Sequence, residues 1–420
     1  MNAPVNVGPT DDAWSMPLDR IDVSNPHLYQ DDTWHPYFAR LRRDDPVHYT
    51  KDGMYGSFWS VTRYHDIMAV DTHQKVFSSD AMMGGIVIRD VPMDFRRPSF
   101  ISMDPPRHDE QRKVVSPIVA PGNLQKLSGT IRERACRILD DLPRGETFDW
   151  VDRVSIELTT QMLATLFDFP FEERRTLTYW SNVATVNTRA GTEIDSEQKR
   201  DAVLQQALEY FTGLWHERAK QEPRADLISM LAHGEATRDL PSRPNEFMGT
   251  LLLLIVGGND TTRNSISGGL LALNKFPDQY RKLRADPELI PSMVPEIIRY
   301  VTPVIHMRRT AVEDIALGGK TIRKGDKVVM WYISGNRDEE AIERPDEFII
   351  DRARPRQHLS FGFGIHRCVG NRLAELQLTI IWEEILKRFP EIRLLEEPQR
   401  SYSIFIKGYE RMPVLIPTRH

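Results

Sequence analysis

Only two cysteines, Cys136 and Cys368, occur in the 420 residues. That excludes a disulfide framework, and it excludes a zinc cage built from cysteines alone, which needs about four ligands. There is no Cys-x-x-Cys pair, so a dithiol redox centre is excluded as well. The first twelve residues, Met1 to Asp12, lack both the basic and the apolar segment of a secretory signal. Long apolar runs are missing: the most apolar stretch, Leu251 to Gly258, falls far short of the roughly 20 residues of a membrane-spanning helix. Charge of one sign is not in excess, with 55 Lys and Arg against 60 Asp and Glu and a net charge of −5. Such a balance argues against nucleic acid as a general partner. Repeats, low-complexity tracts and clear linkers are also absent. These absences leave a soluble, cytoplasmic chain in a reducing compartment, expected to form a single domain over residues 1–420. Residues 1–35, polar and rich in proline, read as an extended N-terminal arm. A hydrophobic content of 40% and 28 prolines suit a globular protein with many loops.

What is present centres on Phe361-Gly-Phe-Gly-Ile-His-Arg-Cys-Val-Gly370. Three glycines surround the cysteine, and a helical pattern follows. Val369, Leu373, Leu376 and Ile380 are spaced by four, three and four and share one helical face. Cys368 is thus placed near a helix N-terminus, where free N–H groups and the dipole favour an anion and pull a thiol toward thiolate. Gly364 and Gly370 permit a positive φ or close approach to a flat partner. Two readings of the thiolate stay open on these residues. It is a nucleophile with His366 as its base, or the single axial ligand of haem iron, as in haem-thiolate proteins.

A second unusual stretch lies within the one long helix predicted over Glu246 to Asn274. Its middle reads Gly257-Gly-Asn-Asp-Thr-Thr262, and each mid-helix glycine costs about 0.8–1 kcal/mol relative to alanine. Val256, Gly257, Asp260 and Thr261 share a face, so an acid and a hydroxyl are expected beside a flat group lying against Gly257. Asp104-Pro-Pro-Arg-His108 opens another predicted helix, with His108 and Arg112 one turn apart. Glu296 and Arg299 form an i, i+3 pair on a further helix. Residues 78–103 lack a clean period but are rich in Met82, Met83, Ile86, Val87 and Ile88, an irregular apolar segment suited to a pocket wall. A hairpin is predicted around Lys51-Asp-Gly53, strands at Ile315–Leu317, Val328–Tyr332 and 401–406, and amphipathic helices between 124 and 240.

Phe361-x-x-Gly-x-His-x-Cys368-x-Gly370 resembles the haem-binding loop of cytochromes P-450. Gly-Gly-x-Asp-Thr over 257–261, Glu296-x-x-Arg299 and Asp104-Pro-Pro-x-His108-x-x-x-Arg112 match further motifs of that family in order. The resemblance implies a mainly α fold with a small β-rich part, holding haem (heme b, iron with an axial thiolate) as cofactor. Cys368 is then the iron ligand, and Phe361, Gly370 and Gly257 bound the haem. His108, Arg112, His366 and one of Arg308 and Arg309 pair with its propionates, the Arg-Thr-Ala match favouring Arg309. Asp260 and Thr261 are the catalytic pair that relays protons to dioxygen. Glu296 and Arg299 are structural. The family's third partner, an Arg, is replaced by Glu347, and Arg344 or Arg352 is left to substitute.

Two longer stretches, Leu251 to Ser265 and His358 to Arg372, resemble bacterial alkane and fatty-acid terminal hydroxylases. That likeness implies oxidation of the end methyl of a medium-length chain in a narrow pocket. Its expected walls are Met82, Ile86, Val87, Leu253, Val256, Val304, Ile305 and Phe405, with Trp180–Thr188 bordering the channel. A terpene or steroid hydroxylase is the alternative substrate reading. A non-catalytic haem electron carrier or sensor is the alternative class, and it has no use for Asp260 and Thr261. Electrons are expected from outside, through a 2Fe-2S ferredoxin and its flavin-dependent reductase. Arg352, Arg354, Arg356, Arg367 and Arg372 form a basic stretch around the cysteine suited to an acidic donor.

Overall fold

The computed structural model describes residues 12–185, 187 and 192–418. Helices dominate and the strands are short. The main sheet contains β1 (Val47–Gly53) and β2 (Gly56–Val61), an antiparallel hairpin with Val47 opposite Val61. After it, α1 (Tyr64–Thr72) leads to the two-residue β3 (Phe77–Ser78). Next come α2 (Arg107–Val115), α3 (Pro121–Asp140), α4 (Glu157–Phe167), α5 (Arg175–Thr185) and α6 (Glu197–Arg218). The long α7 (Pro244–Lys275) is followed by α8 (Ile290–Val301), β4 (Met307–Ala311), β5 (Lys327–Met330) and α9 (Asn371–Arg388). The sheet order is β1-β2-β5-β4-β3, with β2 and β5 parallel and the other pairs antiparallel.

α7 runs through the helical core, packing against α4, α5 and α8, and even its polar middle, Asn259 to Ser265, is largely buried. Pro244 starts it at a position that needs no N–H, and Pro277 follows its end. α3 and α9 pack together in the same core. Around Trp331, a second core gathers the segment before β1 against the sheet.

Two expectations are corrected. Residues 12–35 are not an extended arm: Ile21, Val23, Tyr29 and Trp34 are buried against the second core, and Pro26–Gln30 is helical with Asn25 as its cap. Residues 1–11 of the expected arm lie outside the described residues. Residues 401–406 form no strand and contribute only an isolated bridge from Ile406 to Val304. A turn at Ser403, whose hydroxyl accepts from the amides of Phe405 and Ile406, takes those donors instead.

Candidate active site

The cysteine loop is shaped before it holds anything. Cys368 N–H donates to the carbonyl of Phe361 at 2.8 Å, folding the loop back on itself ahead of α9. Gly364 has φ +64°, and a Cβ there would lie 2.6 Å from the backbone oxygen of Asp71. Only glycine meets both conditions. Asp71, near the end of α1, is the buried anchor. Its Oδ2 accepts from Phe363 N at 2.7 Å and from Tyr332 Oη at 2.9 Å, and its Oδ1 accepts from Arg309 Nη2 at 2.8 Å. One carboxylate thereby joins the cysteine loop to a cation on β4. Nothing local in the sequence distinguished Asp71, since an acid late in a helix reads as a solvated residue.

Cys368 opens its side chain to a cavity of about 490 Å³ while lying deep in the protein. Burial pushes its thiol above the ordinary value; the N–H groups of Gly370 and Asn371 and the charges of Arg112 and Arg367 act in the opposite direction. The helix N-terminus therefore does not win alone. A coordinated metal is what deprotonates such a thiol outright.

Phe361, His366, Cys368, Gly370, Gly257, Arg112 and Arg309 all line the cavity. His108 stands one layer behind, its ring edge-on to His366 with centroids 4.5 Å apart. Each imidazole has one satisfied nitrogen: His108 Nδ1 faces Asp109 Oδ1 at 2.7 Å and His366 Nε2 faces Ser79 Oγ at 2.8 Å. The other two, His108 Nε2 and His366 Nδ1, are buried without a partner. Burial foremost, then Arg309, His108 and Arg112, lowers the pKa of His366 to about 2, so its ring is neutral. Two orphaned imidazole nitrogens and two guanidinium groups suit a group carrying carboxylates. A Cβ built on Gly257 or Gly370 would meet no atom within 4 Å, leaving room for a flat body. The donor set fits haem and its propionates. Arg308 is not part of it: it turns to Asp90 at 2.6 Å, while its neighbour Arg309 reaches the cavity.

The acid and hydroxyl of α7 separate. Thr261 lines the cavity, and its Oγ1 donates to Gly257 O at 3.0 Å. Asp260 does not reach the cavity, contrary to expectation. It is fully buried against α5, where Oδ1 accepts from Ser181 Oγ at 3.0 Å and Oδ2 from Thr185 Oγ1 at 3.2 Å. Arg263 Nη2 pairs with it at 3.2 Å. Thr185 itself lines the cavity, so the carboxylate stands one hydroxyl behind the surface. Nothing local marked Thr185 beyond its place in the Trp180–Thr188 stretch. Ala184, Thr185 and Asn187 border the cavity, Trp180 packs in the core with Phe211, and residues 186 and 188 lie outside the described residues.

Of the expected substrate walls, Ile86, Val87, Leu253, Val256, Val304 and Phe405 line the cavity. Met82 does not: it is 57% exposed, in a turn capped by Asp80. Ile305 does not either: it is wholly buried in the core around Trp331. Glu296 and Arg299 form a fully buried two-bonded pair at 2.7 and 2.8 Å. The third partner is Arg352, whose Nε donates to Glu296 Oε2 at 3.0 Å. Arg344 pairs with the Glu347 side chain, and the Glu347 carbonyl accepts from Arg299 and Arg352.

Among the described residues no helix is long and apolar enough to cross a membrane. Two solved structures are close in shape. One is a cytochrome P-450 from Sphingomonas sp. PAMC 26605, 46% identical, with a TM-score of 0.89 over 96% of this chain and 100% of that one. The other is a cytochrome P-450 from Novosphingobium aromaticivorans, also 46% identical, with a TM-score of 0.87 over 94% and 98%. Linalool 8-monooxygenase of Pseudomonas putida is 37% identical over 410 residues, 95% of this chain and 99% of the relative. Residues 52–401 match the family profile described as cytochrome P-450. With that match, the cysteine loop and the haem-compatible cavity, the chain belongs to the cytochrome P-450 family of haem-thiolate monooxygenases.

Proposed function

We propose that the chain hydroxylates the terminal methyl of an acyclic apolar substrate, a medium-chain alkane or fatty acid. The observation that carries this reading is the make-up of the apolar part of the cavity wall. Ile86, Val87, Leu253, Val256, Val304 and Phe405, from four separate segments, give it side chains with no polar group. Such a wall orients a chain by shape alone and excludes water from the reacting end.

When bound, thiolate-ligated haem would supply the oxidation: with O2, two electrons and two protons, one oxygen atom enters a C–H bond and the other leaves as water. The protein's residues hold and protect that chemistry. Cys368 would ligate the iron through its sulfur. Arg112, Arg309, His108 and His366 would hold the propionates, and Gly257 and Gly370 would leave space for the ring. Thr261 offers its hydroxyl on the cavity surface. Asp260 holds a carboxylate behind Thr185 Oγ1, 3.2 Å away, from which protons pass toward the cavity through that hydroxyl. An electron carrier or sensor gains nothing from this arrangement. Electrons arrive from a 2Fe-2S ferredoxin served by a flavin-dependent reductase.

The second reading, a terpene hydroxylase, is favoured by the likeness to linalool 8-monooxygenase. Linalool is acyclic and position 8 lies at the end of its chain, so the two readings share a chain-end target. Spectral titration of the haem protein decides between linear and bulky ligands, followed by product analysis. Shifts with n-octane and lauric acid and formation of terminal alcohols are expected. Shifts only with bulky cyclic ligands overturn the terminal-hydroxylase reading.

A further inference from the structure

Three segments distant in sequence, residues 84–88, 303–308 and 403–407, are bonded to one another, and each contributes residues to the cavity lining. Backbone bonds lace the middle one to both others. Arg308 N donates to Ile86 O at 2.8 Å, Ile305 N to Phe405 O at 2.9 Å, and Lys407 N to Pro303 O at 2.9 Å. His306 adds a side-chain link to each wall at once. Its Nε2 accepts from Ile88 N at 3.0 Å, and its Nδ1 lies 3.0 Å from Ile404 O. Because Nε2 accepts, the ring proton sits on Nδ1 and is donated to the Ile404 carbonyl, so one neutral tautomer satisfies both. Burial keeps the ring neutral, bringing its pKa down to about 4; nearby Arg308 acts the same way, and the bond to Ile404 opposes both. The ring is wholly buried, packed against Trp331 at 5.2 Å and edge-on to Phe405 at 5.7 Å. Trp331 is itself held by Ser60 Oγ at 3.0 Å.

We propose that His306 sets the cross-section of the substrate cavity. It acts as a strut that holds the Ile86–Ile88 wall at a fixed distance from the Ile404–Phe405 turn, and so selects substrates by shape. The inference deepens the acyclic-substrate reading and rests on it for the shape selected. His306 is a positioning residue, since it acts through the backbone of both walls. A flexible residue here would leave each wall to move with the substrate. The sequence offered no signal for it, because a lone histidine between apolar residues reads as a satisfied core side chain.

The test uses the haem-loaded wild type with His306→Phe, His306→Asn and His306→Gln. Phenylalanine keeps the ring volume and removes both bonds, asparagine is too short to span the walls, and glutamine keeps one donor and one acceptor. Dissociation constants for n-octane and for camphor, a rigid bicycle, are read from the substrate-induced spectral shift. The ratio of the two constants is expected to move toward unity by about tenfold in the Phe and Asn variants and to be largely kept by Gln, tenfold being about 1.4 kcal/mol. An unchanged ratio in either variant that retains haem overturns the strut, and the Asn variant decides if the Phe variant does not load. A wild type that prefers camphor overturns the acyclic reading; a ratio that still collapses on substitution then upholds the strut by itself.

Discussion

At the scale of single residues, the cavity is governed by which polar atoms are already paired. Asp71 is the clearest case, since its carboxylate compensates Arg309 and also holds the amide of Phe363 in the cysteine loop. In Asp71→Asn one negative charge is lost while the shape is kept. The haem midpoint potential should then shift to more positive values, by on the order of 1 kcal/mol of reduction free energy. Tyr332→Phe removes a bond to the same carboxylate without changing charge, and it should leave the potential near that of the wild type. Redox titration of the two variants checks this. A second prediction concerns protons. Thr261→Ala should keep consuming reductant while yielding less product and more peroxide. Thr185→Val should move the same way, because it cuts the one hydroxyl between Asp260 and the cavity. Product formed per reductant consumed is the measurement, and an unchanged ratio in Thr185→Val removes Thr185 from the route. Thr261 was readable from the sequence because mid-helix Gly-Gly-x-Asp-Thr violates helix preference. The turning away of Asp260 was not, because the polar atoms that attract it, Ser181 and Thr185, belong to another helix.

At the scale of elements, α8 is pinned to the long connection that precedes the cysteine loop. Glu296 accepts from Arg299, Arg352 and the amide of Ile349, and Arg299 donates to the carbonyls of Asn336, Pro345 and Glu347. Breaking a buried pair costs about 3–5 kcal/mol, so Arg299→Ala should lower the melting temperature severely. Arg352→Ala should cost about 1.5–3 kcal/mol, the range of a hydrogen bond to a charged group. Arg344→Ala, at an exposed pair with Glu347, should change stability by about 0–1 kcal/mol. Thermal unfolding of the three variants ranks them, and a larger loss in Arg344→Ala than in Arg352→Ala would refute the choice of third partner. The i, i+3 pair was legible from spacing. Its third member was not, because the motif carries Glu347 where an arginine was expected, and Glu347 contributes its carbonyl rather than its side chain.

At the scale of the whole molecule, the net charge of −5 conceals a basic patch around the cysteine loop. Arg352 turns inward to Glu296 and Arg356 pairs with Glu375. Arg354, Arg367 and Arg372 are exposed and form no ion pair among the described residues. An acidic donor protein approaching this face gains most at low salt. Turnover supported by a ferredoxin should therefore fall steeply with ionic strength, and Arg354→Glu with Arg372→Glu should raise the half-saturating donor concentration with little effect on substrate binding. A donor dependence insensitive to both would place docking on another face.

Local sequence patterns specify the cysteine loop, the long helix with its rule-breaking middle, the Glu–Arg pair and the mainly helical class. Each of these is a local pattern: a cysteine among glycines, a violated propensity, a spacing of three. Tertiary structure decided which of two adjacent arginines enters the cavity, because strand alternation sends Arg309 and Arg308 to opposite sides. It also drew residues 12–35 into the core, where buried apolar area outweighs a polar and proline-rich composition. And it brought Asp71, Thr185 and His306 to the site through contacts with residues 75 to more than 290 positions away, where no window of sequence connects them.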